Sequence, residues 1–145
     1  MRLCVEFTAP CPVFLPWNYP HYLHGMLVRA IVEARPQLNE FLHRQGLWVE
    51  GHQYRLLTAS WLFAERTERS AEGLILSPPI RWWVSSPLSA LMEALSVTLL
   101  VNPQRFVAGA SLTVSTVRVE PRVPFEGRAA LFRTISPLVV STAEL

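Results

Sequence analysis

Leu23, Met26, Leu27, Ala30, Ile31 and Ala34 fall at the i, i+3, i+4, i+7 spacing of one apolar helix face. Leu88, Leu91, Met92, Leu95 and Leu99 form a second such stripe later in the chain. Around and between these stripes the pattern changes to period two. Leu3, Val5 and Phe7 oppose Arg2, Cys4 and Glu6, which predicts a first strand. The order strand, helix, strand, strand, helix, strand predicts an α+β chain of the ferredoxin-like (βαββαβ) type. In that arrangement both main helices lie on one face of an antiparallel sheet.

Proline punctuates the plan. Residues 9–16 carry three prolines and read as a loop. Asn18 and Pro20 suit a helix start, and Pro36 pushes Arg35 out of the helical region. Pro36 then opens a short second helix with Leu38, Phe41 and Leu42 inward and Gly46 at its end. His43 is thereby expected in a last helical turn. The unpaired carbonyls there suit an imidazolium that donates a proton.

Residues 47–53 read as a connection and 54–63 as a second strand. There Arg55, Leu57, Ala59, Trp61 and Phe63 share one parity and Thr58 and Ser60 the other. The charge-dense stretch 64–73 reads as a solvated hairpin loop. A third extended segment, 74–76 and 80–85, is expected to break at Pro78-Pro79. Its residues Ile80, Trp82 and Val84 alternate with Arg81, Trp83 and Ser85. Ser86-Pro87 suits a helix start and Asn102-Pro103 a stop. Residues 105–107 and 110–119 form a hairpin through Ala108-Gly109. A parity shift between Val114 and Val117 predicts a bulge. Residues 131–141 read as extended.

The chain of 145 residues has room for one domain, or is one domain of a larger protein. Half the residues are hydrophobic, enough for a core, and only 17% are charged, which suggests a partly covered surface. All 13 Lys-plus-Arg residues are arginine, a side chain whose fork suits phosphate. A net charge of +2 is too small to establish nucleic-acid binding. Charge interrupts the N-terminus before a signal-peptide core forms, and no apolar run is long enough to span a membrane. A cytoplasmic location and no membrane partner are expected.

Cys4 and Cys11 show neither CxxC nor metal-ligand spacing. His21, His24, His43 and His52 follow no metal-binding pattern, so no metal or other cofactor is expected. HExxH, Walker, GxGxxG and GxSxG motifs are all missing from the sequence. The bland reading of His43 is an ordinary helix-end histidine. Arg81 and Trp83 should lie on the sheet face opposite the helices. They could stack and clamp bases there, or be covered by another domain or subunit.

Several segments taken together resemble the CRISPR-associated repeat-processing endoribonucleases. They are the first strand, Tyr22-Leu23-His24-Gly25-Met26-Leu27-Val28-Arg29-Ala30-Ile31, Phe41-Leu42-His43, and Tyr54-Arg55-Leu56-Leu57-Thr58-Ala59-Ser60. Val84-Ser85-Ser86-Pro87 and Phe132-Arg133-Thr134-Ile135-Ser136-Pro137-Leu138-Val139-Val140 complete the set. Their order and spacing carry the likeness, which corresponds to the N-terminal half of a usual member. Residues 1–128 are then expected to form one ferredoxin-like domain. Residues 129–145 would be an extended segment leading toward a second domain that the sequence does not include.

The resemblance implies metal-independent cleavage of CRISPR precursor RNA within each repeat. The 2′-hydroxyl attacks the adjacent phosphate and leaves a 2′,3′-cyclic phosphate and a 5′-hydroxyl. His43 matches the family's acid or base, and Arg55 stands where a lysine often stabilises the phosphorane. Val28 stands where some members have a helix tyrosine; Tyr22, Tyr54, His24 and His52 are alternatives for that role. His24, Arg29, His52, Tyr54, Arg81 and Trp83 are the RNA-binding candidates. The implied partners are CRISPR repeat RNA and a second ferredoxin-like domain, another copy, or subunits of a CRISPR ribonucleoprotein. A non-cutting RNA-binding or assembly subunit is the alternative.

Overall fold

The computed structural model describes residues 1–42, 47–49, 51–54, 56–121 and 127. Its strands are β1 (Arg2–Thr8), β2 (Val13–Pro16), β3 (Leu47–Val49), β4 (His52–Tyr54), β5 (Thr58–Ala59), β6 (Phe63–Arg69), β7 (Gly73–Ser85), β8 (Gln104–Val107) and β9 (Ala110–Glu120). The helices are α1 (Tyr19–Ala34), α2 (Leu38–Glu40) and α3 (Ser89–Val101). Seven strands form one sheet in the order β2-β7-β1-β9-β8, with β5 and β6 paired to the other edge of β7. All of these pairings are antiparallel. This is the expected ferredoxin-like sheet, with β1 central between β7 and β9.

The core lies between this sheet and the helix pair. Leu3, Val5 and Phe7 of β1 and Ile80, Trp82 and Val84 of β7 are fully buried. They meet Leu23, Met26, Leu27, Ala30 and Ile31 of α1, and Leu91, Met92, Leu95 and Leu99 of α3. Both predicted helical stripes are therefore the buried faces. The two helices are also tied to each other: the Thr98 hydroxyl donates to the Ala30 carbonyl at 2.6 Å. The Arg35 N–H closes α1 on the Ile31 carbonyl, and Pro36 follows, as its sequence predicts. Asn18 stands at the N-cap but makes no side-chain cap bond. Leu42 after α2 is buried, while Leu38 and Phe41 are half-buried. The predicted helix-end positions His43 and Gly46 lie outside the described residues.

Several expectations change at the sheet margin. The stretch 64–73 is not a loop: it is mostly β6, and the turn is confined to residues 70–72. Ser70 Oγ accepts the Gly73 N–H at 3.1 Å and secures that turn. β6 looked like loop because it is an edge strand exposed along nearly its whole length, and charge on both faces is what such an edge carries.

β7 also runs straight through Pro78 and Pro79, joined by a cis peptide. The prolines fall where β7 needs no N–H. On one edge β1 ends opposite Ile80 and β2 begins opposite Leu76. On the other edge the β6 register skips from Ile80 to Ser77. Residues 13–16, expected as loop, form β2. Residues 47–49 and 52–54 pair as a separate β3–β4 hairpin with Gly51 (φ 81°) between them, rather than forming a connection and a strand start.

The predicted strand 54–63 splits into β5 and the start of β6, with its parity changed between them. Ser60 and Leu62 are buried, and Trp61 and Phe63 face outward. Trp82 Nε1 donates to the Ser60 carbonyl at 3.1 Å, and the Leu62 N–H donates to the Tyr19 hydroxyl at 3.2 Å. Those bonds hold Ser60 and Leu62 inward. Burial pushes the Tyr19 phenol above its ordinary pKa, against the smaller opposing effect of the Leu62 N–H. Tyr19 is thus a neutral anchor. The predicted bulge in β9 is real. Register jumps between Glu6↔Thr116 and Phe7↔Val114, leaving Ser115 extra, and its hydroxyl donates to the Glu6 carbonyl at 3.0 Å. The expected extended segment 131–141 lies outside the described residues.

Gly73 joins β2 to β7 at a close approach. A Cβ there would collide with the Leu15 carbonyl oxygen and lie 2.9 Å from Pro16 Cα, both backbone atoms. Gly73→Ala is therefore expected to destabilise the fold by about 1–3 kcal/mol, as overpacking does. Urea unfolding followed by tryptophan fluorescence measures it, and an unchanged midpoint would contradict the close packing.

Candidate functional site

The sheet face away from the helices is built by strand parity. Side chains alternate across β1, β7 and β9, so residues between the buried positions emerge on this side. Register aligns them in rows: Glu120, Arg2 and Ser85; then Arg118, Cys4 and Trp83; then Thr116, Glu6, Arg81 and Phe63. Arg81 and Trp83 occupy the face predicted for them.

Their neighbours give them geometry. Arg81 Nε donates to Glu6 Oε2 at 3.3 Å, and both side chains are partly exposed. Phe63 meets Trp83 edge to face, with centroids 5.6 Å apart and planes at 69°. A shallow hollow of about 130 Å³ lies among Phe63, Ala64, Glu65, Pro79, Arg81 and Trp83. Arg118 Nη2 donates to the buried Cys4 sulfur at 3.9 Å. That bond raises the Arg118 pKa further, so its cation is permanent. Arg2 is exposed beside it. The face thus offers an aromatic pair, one clasped guanidinium and two further guanidinium groups. Such a set can stack planar rings and neutralise anionic oxygens.

The sequence candidates do not all meet here. His24 and Arg29 are exposed on α1, in the layer on the other side of the sheet from Arg81 and Trp83. Arg29 Nε donates to the Gly25 carbonyl at 3.3 Å. His52 and Tyr54 lie in β4, in the separate ribbon. His43 and Arg55 lie outside the described residues. Among the described residues no group of three or more His, Cys, Asp or Glu side chains could hold a metal ion. No described helix is long and apolar enough to cross a membrane.

Sequence reasoning missed Arg2, Glu6, Phe63 and Arg118 as neighbours of Arg81 and Trp83. Alternation puts Arg2 and Glu6 on the outer side of β1, but only the register brings them beside β7 and β9. For Phe63 the alternation itself misled, because residues 60–62 interrupt the strand.

Three solved structures share this fold. One titled "CRISPR associated protein Cas6" aligns with TM-score 0.65 at 22% identity, covering 86% of this chain and 49% of the other. A Cas6-related protein from Pyrococcus furiosus aligns at 0.68 and 16%, covering 85% and 49%. A structure titled "An RAMP protein binding different RNA substrates" aligns at 0.69 and 15%, covering 87% and 51%. The curated CRISPR-associated endoribonuclease Cas6 of Pyrococcus furiosus is 28% identical over 130 residues, 88% of this chain and 46% of that protein. The chain thus spans about half the length of the relatives it matches. The family described as "CRISPR-associated protein Cas6, N-terminal" matches residues 14–118, most of the chain. The chain belongs to the CRISPR-associated Cas6 family.

Proposed function

We propose that this protein acts in CRISPR RNA processing as a metal-independent endoribonuclease that cuts precursor RNA within its repeats. Family membership carries this reading, together with a relative that is an endoribonuclease by name. The ribose 2′-oxygen attacks the adjacent phosphorus and loses its proton to a base or to water. The P–O5′ bond breaks, giving a 2′,3′-cyclic phosphate and a 5′-hydroxyl. His43 gives the departing 5′-oxygen its proton, and Arg55 offsets the charge that builds on the phosphorane. Neither step needs a resident cofactor.

The other candidates are read as RNA-binding residues on two sides of the sheet. Arg81 and Trp83, with Phe63, offer a stacking surface on the open sheet face, while His24 and Arg29 bind RNA from α1. His52 and Tyr54 contribute from the β3–β4 ribbon. Residues 1–128 are the domain that does this, and 129–145 lead toward the partner that completes the RNA surface. That partner is a second ferredoxin-like domain, another copy or a ribonucleoprotein subunit.

Incubation with repeat RNA in EDTA tests the mechanism. Cleavage should persist in chelator and stop when a deoxynucleotide replaces the ribose just upstream of the cut. A metal requirement would overturn it. Val28, where some members carry a helix tyrosine, favours a second reading as a non-cutting RNA-binding subunit. Under that reading the same RNA is bound and stays intact.

A further inference from the structure

β6 closes one side of the sheet. Among the described residues no strand pairs with its outer side, the side away from β7. We propose that this edge pairs antiparallel with the same edge of a second copy, across a two-fold axis at Thr67, so that one sheet runs through both molecules. The proposal goes beyond RNA processing and does not depend on it.

The backbone of β6 presents the groups that a further strand needs. The Ser70 N–H donates to the Gly73 carbonyl at 2.9 Å, which makes these two a bonded pair at the turn. Bonded and unbonded pairs alternate along an antiparallel ladder. Arg69↔Leu74 is then unbonded, Glu68↔Ile75 bonded and Thr67↔Leu76 unbonded. The N–H and carbonyl groups of Thr67 and Arg69 consequently aim away from β7, at the outer edge. Trp17 fixes the turn from the β2 side. Its N–H donates to the Glu72 carbonyl at 3.3 Å and its Nε1 to the Ala71 carbonyl at 3.0 Å. The hairpin is thereby ordered before a partner arrives, which lowers the cost of association.

The side chains select the partner and the register. Residues 65–69 read Glu-Arg-Thr-Glu-Arg, and all five are exposed. Turned antiparallel about Thr67, this sequence sets Glu65 opposite Arg69 of the other copy and Arg66 opposite Glu68 of the other copy. Symmetry repeats both pairings, so every charge in the stretch meets its opposite directly across the strands, the favourable arrangement. Outward-facing residues must pair with one another, so the axis falls on a residue and not between two. At any other residue of 65–69 the axis would oppose a charged side chain to its own copy. Charge complementarity therefore specifies the Thr67 register and disfavours slips. Among the described residues these four charged side chains join no ion pair within the molecule. Charge on an edge ordinarily keeps a second strand away. This order of charges attracts one, and that strand is its own copy.

Sedimentation equilibrium of the full 145-residue chain tests the pairing. Dimers are expected with a Kd on the order of 10–100 µM, as a small interface gives, and they should weaken as salt rises. Arg66→Glu or Glu68→Arg alone opposes like charges twice and should weaken association about tenfold or more. Both substitutions in one chain make the edge complementary to itself again and should restore the dimer. A mixture of the two single variants should also pair, because each complements the other. The positions are exposed, so these variants fold as the wild type does. Amide hydrogen exchange gives a second reading. The N–H groups of Thr67 and Arg69 should exchange more slowly as protein concentration rises, while that of Glu68, already bonded to β7, should not change. A wild type that stays monomeric at about 0.5 mM would overturn the proposal. So would dimers that ignore both single reversals, or a loss that neither the double variant nor the mixture repairs. An edge that takes up a strand of another protein and never its own copy would overturn it as well.

Discussion

Trp82→Ala is expected to bring the domain close to unfolding. Trp82 has no exposed surface, lies in β7 opposite Val5 of the central β1, and packs at a tilt on Phe7 with centroids 6.2 Å apart. Truncation would leave a large void where β1, β7 and the helices meet, and would strip the Ser60 carbonyl of its indole donor. Large-to-small changes of this kind cost about 3–5 kcal/mol. That is a large part of the roughly 5–15 kcal/mol by which domains are stable. A fall in melting temperature on the order of 10 °C follows. Phe106→Ala, at a mostly exposed edge position, should stay within about 0.5 kcal/mol and serves as the control. Equal unfolding midpoints for the two variants would show that β7 is not the centre of the core.

The second large effect is on chemistry. Under the proposed mechanism, His43→Ala should slow single-turnover cleavage of repeat RNA by about 10²- to 10⁴-fold, because the leaving 5′-oxygen then departs without a positioned acid. RNA affinity should hardly change, since a proton donor acts in the transition state and contributes little to ground-state binding. Equal losses in affinity and rate would make His43 a binding residue. An unchanged rate would remove it from the site.

The candidate site was only partly legible. Arg81 and Trp83 alternate with Ile80, Trp82 and Val84, so their common face followed from parity alone. That Trp83 meets Phe63 and that Arg81 meets Glu6 did not follow, because both contacts join strands distant in sequence and depend on register. In sequence, His24 and Arg29 are RNA-binding candidates beside Arg81, without a shared site. The sheet stands between them, and this separation is a property of the topology. A hollow beside α1 is a further case. Met26 belongs to the apolar stripe of α1 and Val28 and Val32 lie beside it, and the approach of β8 to that helix leaves a hollow at their flank.

What the sequence by itself determined are the local periodicities and their stops. The buried faces of α1 and α3, the alternation of β1, the end of α1 at Pro36, the hairpin at Ala108-Gly109 and the bulge near Ser115 each follow from a few neighbouring residues. Backbone sterics and one-sided burial act over that range. Only the tertiary structure decided the status of residues 63–69, 78–79 and 60–62. A charged stretch becomes an edge strand when β7 offers it a partner. Two prolines stay inside a strand when the neighbouring strands leave a gap opposite them. A parity reverses when Trp82 and Tyr19 supply hydrogen bonds to the backbone from across the core. In each case the deciding partner lies far along the chain, and a pattern read over a short window contains no record of it.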